Sequence, residues 1–308
     1  MTEPSDEQPA EPSRLPQPPQ TPAFRAKEAV RYLRQDAIKQ IEEVLESRVI
    51  CYIAADNSWL TRSDVLFFAD LAHDLQPDDD VHFVISATGG DVDAAFRVVQ
   101  LLRQAVPDGR LVAVVPSSAT SAATLLAIGM DRILMSDTSE LSPIDPLVNV
   151  PCHGGGMVRQ PAIAYETAFK EAMEHAKDAN DPEREVWARI VHDFDQASLV
   201  VCGQAIQRTR DYADALLRDG MFREGNQTVS TASFTQVTSN LMSKSRFSGH
   251  GAVITHAEAK KIGLEVDYLP RTDDLWQAFW RLYCLQILAL ERGETLFEGR
   301  QASLHRPA

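Results

Sequence analysis

Cysteine is scarce in this 308-residue chain: Cys51, Cys152, Cys202 and Cys284 stand far apart, with no C-x-x-C pair. That spacing signals neither a zinc site nor a disulfide scaffold and predicts reduced thiols, as in the cytosol. Basic residues are also short, 30 Lys and Arg against 44 Asp and Glu, for a formal net charge of −14. Nucleic acid and anionic membrane surfaces are gripped through Lys and Arg, so both are poor partners for this chain. No apolar run approaches the ~18 residues of a membrane span, and no basic-plus-apolar leader opens the chain. The expectation is a soluble, cytoplasmic protein. Missing too are G-x-S-x-G, G-x-x-x-x-G-K-S/T, H-E-x-x-H and G-x-G-x-x-G, which sets aside the commonest hydrolase, nucleotide and zinc-protease readings. No cofactor and no metal are expected.

Proline is present in one place above all. Seven of the 17 prolines precede Phe24, among Glu, Gln and Ser with almost no large apolar residues. Such a segment cannot bury enough surface to offset its ordering entropy, so residues 1–24 read as a disordered tail, either a plain solubilising arm or a Pro-rich recognition segment. The tail carries a net charge of −3 and leaves −11 to the remaining 284 residues. An acidic body of this kind suits a peptide or protein substrate better than a nucleic acid.

Beyond Phe24, helical and strand patterns alternate. Apolar positions recur at helical spacing over 27–46, 63–75, 92–102 and 121–130. Between them lie the short apolar runs 49–54, 81–86, 111–115 and 132–135. Strands alternating with helices of this length predict βαβ units and a mainly parallel sheet. From about 161 to 220 the texture becomes long, polar-rich helix, with Gly220 as a stop. Residues 275–292 place Trp276, Phe279, Trp280, Tyr283, Ile287 and Leu290 at helical spacing, which marks core or a subunit interface. The expected layout is an α/β domain over 25–270 with a helical insertion at 161–220 and a helical C-terminal extension over 271–308.

Chemistry concentrates at two successive strand-to-helix junctions. Thr88-Gly89-Gly90-Asp91 follows the 81–86 strand, and its glycines can leave amide N–H groups uncovered, suited to a carbonyl oxygen gaining negative charge. A tight turn explains the same residues. Ser117-Ser118-Ala119-Thr120-Ser121-Ala122-Ala123-Thr124 follows the 111–115 strand, and Ser121 falls where a helix begins. It is either an N-cap or a nucleophile whose adduct is held by the amides of Ala122 and Gly90. Both junctions lie at carboxyl ends of neighbouring strands, where sites on parallel sheets form.

The ordered runs Ile85-Ser86-Ala87-Thr88-Gly89-Gly90-Asp91, Ser118-Ala119-Thr120-Ser121-Ala122-Ala123-Thr124, Glu140-Leu141-Ser142-Pro143-Ile144-Asp145-Pro146 and Ser248-Gly249-His250-Gly251 resemble the SDH-family Clp-fold serine proteinases. These are relatives of the Clp protease subunit and signal peptide peptidase A. Glu258 to Leu264 and Trp280 to Gln286 extend the resemblance to about residues 28–304. It implies a ClpP/crotonase-like fold of stacked βαβ units, self-assembly as a homo-oligomer (trimer, hexamer or larger ring), and ATP-independent serine-type peptide hydrolysis. Ser121 matches the family's nucleophile, and Gly90 and Ala122 match its oxyanion-hole positions.

The chain departs from that pattern at several positions. Thr88 stands for the usual Pro, Thr120 for Lys and Ser142 for a small Gly, and the Clp-type histidine position falls near Ile144, which cannot accept a proton. A base must then come from elsewhere. His250 is the first choice, against a histidine packed at a turn. Lys170 could form a Ser–Lys dyad or lie on a helix surface. Asp145 could orient a base or merely fix a turn between prolines. His153, beside Gly154-Gly155-Gly156, reads as a loop residue, and Asn226-Gln227-Thr228 as a glycosylation match without meaning in an unsecreted chain. Two other readings stay open: a non-catalytic scaffold or adaptor in the same fold, and a crotonase-like acyl-CoA enzyme.

Overall fold

The computed structural model describes residues 21–308 except 153–154, 225–232, 244 and 248. Thr21 caps a short helix α1 (Pro22–Lys27), its hydroxyl accepting from the Phe24 amide at 3.2 Å with Pro22 at the first helical position. Helix α2 (Ala29–Leu45) follows and leads into β1 (Arg48–Ala54). The expected disordered tail is thus corrected at its end: Pro22, Ala23 and Phe24 are helical, and residues 1–20 lie outside the described residues.

The next elements build the sheet in βαβ steps. They are α3 (Val65–Leu71), β2 (Val81–Ser86), α4 (Val92–Ala105), β3 (Leu111–Val115), β4 (Ser118–Ala119), α5 (Ala122–Ile128), β5 (Arg132–Met135) and β6 (Glu140–Leu141). A hairpin of β7 (Leu147–Pro151) and β8 (Met157–Pro161) then opens into three helices, α6 (Ala162–Lys177), α7 (Arg184–Asp193) and α8 (Gln196–Asp219). The chain closes with α9 (Phe234–Leu241), α10 (His256–Lys261), β9 (Val266–Tyr268), α11 (Asp274–Ile287), β10 (Thr295–Gly299) and β11 (Ser303–Arg306). The fold is mixed α/β, with a seven-stranded sheet in the order β11-β10-β1-β2-β3-β5-β9. Strands β1, β2, β3, β5 and β9 are parallel, and β10 and β11 are antiparallel additions at one edge.

Helices on both faces explain why the parallel strands read as continuous apolar runs. Alternate residues of β1 divide between two cores: Ile50 and Tyr52 pack with α3, α4 and α5, while Val49, Cys51 and Ile53 pack with α2 and α11. On the first side Tyr52, Phe68, Phe83 and Phe297 form a cluster of rings 5.3–5.6 Å apart. On the second side Trp276 and Phe279 are fully buried, so that part of the 275–292 stripe is intramolecular core, and Trp280 alone of its four aromatic residues is counted among the exposed large apolar side chains.

The C-terminal extension expected to be helical carries α11 and, after it, the strands β10 and β11. Leu296 and Phe297 point into opposite cores, so β10 fits a doubly covered sheet position beside β1. Buried Glu298 holds it there, accepting from Arg34 Nε of α2 at 3.0 Å and from Gln286 Nε2 of α11 at 3.1 Å. The polar-rich helical stretch at 161–220 divides into α6, α7 and α8, the last set off by Asp195, which caps it through the Ser198 amide at 2.7 Å. Asp131 ties β3 to the helical layer, accepting from the Leu111 amide at 2.7 Å and from both Arg103 guanidinium nitrogens at 2.9 Å.

His82, near the start of β2, is held down to about 4 by burial, and its Nδ1 lies 2.7 Å from Ser47 Oγ. The unfolded chain takes up this proton near the ordinary imidazole value of 6.5, whereas the folded chain resists it until about 4. Stability contributed by neutral His82 is therefore complete above the unfolded value and lost as the pH falls between the two. His82→Asn is expected to shrink the difference in unfolding free energy between pH 7.5 and pH 4.5 by at most ~3 kcal/mol, measured by urea denaturation.

Candidate active site

The carboxyl ends of β2 and β3 are drawn together by backbone pairing beyond the regular strands. The Ala87 amide donates to Ser118 O at 2.8 Å, and the Thr120 amide donates to Ala87 O at 3.1 Å. From the other side, the Leu60 amide donates to Gly89 O at 2.8 Å and the Asp91 amide to Leu60 O at 2.9 Å. The Gly89-Gly90 turn is thus clamped between the segment at Leu60 and the entry to α5. Both glycines adopt positive φ, 109° and 145°. A Cβ at Gly89 would sit 2.8 Å from Ser121 Cβ and 3.2 Å from the Ala122 nitrogen, and one at Gly90 would sit 2.3 Å from Leu60 O. Only glycine fits at either position.

Ser121 is the N-cap of α5, at φ 55° and ψ −120°, a backbone conformation that costs a non-glycine residue of order 1–3 kcal/mol and persists only where its surroundings enforce it. Its side chain makes no capping hydrogen bond. The enforcing contact comes from Ser142, whose hydroxyl accepts from the Ser121 amide at 2.8 Å and donates to Pro143 O at 3.0 Å. Ser142 is fixed in turn by Thr124, whose hydroxyl accepts from the Ser142 amide at 3.2 Å and donates to Ala119 O at 2.7 Å. Thr124 and Ser142 are both buried. Ser142, where a small glycine was expected, is the positioning residue that the sequence reading missed.

Ser121 and Gly90 line a cavity of about 470 Å³, with Ile144, Pro146 and Leu147 on its apolar side. Among the described residues the amides of Gly90 and Ala122 donate to no acceptor. Ala122 opens its helix, where an amide has no intrahelical partner. An uncommitted hydroxyl beside two uncommitted amides can perform acyl transfer: attack by the hydroxyl on a carbonyl, with the developing oxyanion accepting from the amides.

The other expected site residues fall elsewhere. His250 and Asp145 do come together, with Nδ1 and Oδ1 2.6 Å apart. They line a separate cavity of about 200 Å³ with Pro143, Pro161 and Phe247. Consecutive residues of the extended 143–146 segment face opposite ways, so Ile144 and Pro146 face Ser121 while Pro143 and Asp145 face His250. Among the described residues no hydrogen bond joins the Ser121 hydroxyl to His250 or Asp145. Lys170 is exposed on α6 and pairs with Glu166 at 2.6 Å, the ordinary arrangement of an i, i+4 surface pair. His153 and the 226–228 segment lie outside the described residues. No group of three or more His, Cys, Asp or Glu side chains with metal-binding placement occurs among the described residues, and no helix among them is long and apolar enough to cross a membrane.

Ser142→Ala leaves the part-buried Ser121 amide without its acceptor. It is expected to cost about 1–3 kcal/mol in urea unfolding and to slow the reaction of the Ser121 hydroxyl with a fluorophosphonate by about tenfold.

No family model matches the chain. An uncharacterized protein of Methanocaldococcus jannaschii is 26% identical over 190 residues, which is 62% of this chain and 54% of that protein. The chain thus spans about half the length of the curated relative it matches. Among solved structures, two of a 1510-N membrane-bound stomatin-specific protease are similar, one a serine-to-alanine variant and the other a lysine-to-alanine variant in complex with a substrate peptide. Each is 14% identical, with TM-scores of 0.39 and 0.36, over 69% and 70% of this chain and 75% and 76% of those chains.

Proposed function

We propose that this chain is a serine-type peptidase of the SDH/ClpP-like kind, acting on peptide or protein substrates without ATP. The observation that carries the reading is Ser121 at positive φ, lining one cavity with Gly90, while among the described residues the amides of Gly90 and Ala122 donate to no acceptor. In this reading the Ser121 hydroxyl attacks the scissile carbonyl and the two amides hold the oxyanion. The amine leaves with a proton, and water hydrolyses the acyl-enzyme to free Ser121. His250, oriented by Asp145, is the base that fits this chemistry. It stands behind the 143–146 segment, so taking the serine proton requires either a shift of that segment or an intervening water. Lys170, committed to Glu166 on an exposed helix face, has no part in it. Homo-oligomers are part of the same proposal, because the exposed Met157, Val158, Val186 and Ile190 give the hairpin and α7 apolar surface to cover.

A non-catalytic scaffold is the second reading, favoured by one observation. Among the described residues lining the Ser121 cavity there is no His or Lys, and its two carboxylates, Asp91 and Asp93, are engaged by Arg62, with Arg208 beside Asp93. The two readings part on a single experiment. A fluorophosphonate is expected to label the wild-type chain at Ser121 and peptide hydrolysis to fall at least a thousandfold in Ser121→Ala. Absence of labelling in the folded protein would favour the scaffold. Tight binding of an acyl-CoA would favour the crotonase-like reading.

A further inference from the structure

The Ser121 cavity has an unequal charge inventory. Three arginines line it, Arg62, Arg159 and Arg208, against two carboxylates, Asp91 and Asp93. Arg62 bonds Asp91 through Nε at 3.1 Å and Asp93 through Nη2, and Arg208 lies 3.6 Å from Asp93. Tyr212 donates to the remaining Asp93 oxygen at 2.9 Å. Both carboxylates are therefore spent on Arg62, Arg208 and Tyr212. The Arg159 guanidinium, on β8, has no ion pair or hydrogen bond among the described residues, and the residue is exposed and lines the cavity.

An uncompensated guanidinium in a cavity with an apolar wall recognises a planar anion, and a carboxylate fits its fork of donors best. The apolar side chains of Ile144, Pro146 and Leu147 line the same cavity. We infer that Arg159 is a specificity-determining residue that binds a carboxylate of the substrate, either a Glu or Asp side chain near the scissile bond or a free peptide C-terminus. This inference rests on the serine-peptidase reading of Ser121. It also fits the body's net charge: an acidic protein that takes acidic peptides needs a local cationic group, because the long-range field is repulsive.

The test uses matched peptides that differ only in Glu, Gln or Lys at positions flanking the scissile bond, and a second pair with free and amidated C-termini. The wild-type chain is expected to prefer Glu to Gln, or the free to the amidated terminus, by about tenfold in kcat/KM. Arg159→Gln is expected to level that preference and Arg159→Glu to turn it toward Lys. Equal rates on charged and neutral peptides in the wild type, or a preference that survives Arg159→Gln, would overturn the inference. The same peptides are titrated by fluorescence anisotropy against Ser121→Ala, with and without the Arg159 substitution. Charge-selective binding lost with Arg159 but without wild-type hydrolysis supports the site and sinks the peptidase reading. Hydrolysis without charge selection does the reverse.

Discussion

The structure turns on one close approach, that of the Gly89-Gly90 turn against the entry to α5. At Gly89 the space that a Cβ would fill is taken by Ser121 and Ala122, and at Gly90 it is taken by the Leu60 backbone. This contact holds the end of β2 against the entry to α5, and Gly90 and Ser121 come to line one cavity. It also explains why Ser121 tolerates φ 55°: strain of this kind persists only when neighbouring groups hold it, and the Ser142 hydroxyl with buried Thr124 does the holding. Polar groups buried in a small network of this sort have little freedom to move, which fits a pre-arranged site.

Around that contact, the sheet supplies stiffness. Five parallel strands covered on both faces place the two junctions at their carboxyl ends, and antiparallel β10 is locked beside β1 by Glu298, Arg34 and Gln286. The hairpin β7–β8 and helices α6–α8 form a second layer of the chain that brings Arg159, Arg208 and Ala205 to the cavity wall. One cavity therefore draws on both the sheet junctions and the helical insertion.

Much of this was legible in the sequence because it depends on local periodicity. The runs at 49–54, 81–86, 111–115 and 132–135 are strands because doubly buried strands are apolar throughout, and the two glycines and Ser121 sit where strand patterns give way to helical ones. What the sequence hid depends on contacts between distant segments. Nothing local marks 295–306 as strand, since β10 takes its place from pairing with β1 and a buried ion pair. Nor does spacing tell which face of 143–146 carries Asp145. The Asp145–His250 pair was foreseeable as a pair, but the alternation that turns it away from Ser121 appears only once the segment is extended between two cavities. Ser142 stands where the family pattern has a small glycine, and its hydroxyl accepts from the distant Ser121 amide, a contact that spacing alone does not reveal.

The most direct measurement of the central claim is a crystal structure of the chain after treatment with a fluorophosphonate. The account predicts a phosphorus bonded to Ser121 Oγ, with the phosphonyl oxygen about 2.7–3.1 Å from both the Gly90 and Ala122 nitrogens. An unmodified Ser121, or a phosphonyl oxygen turned away from those two amides, would contradict it.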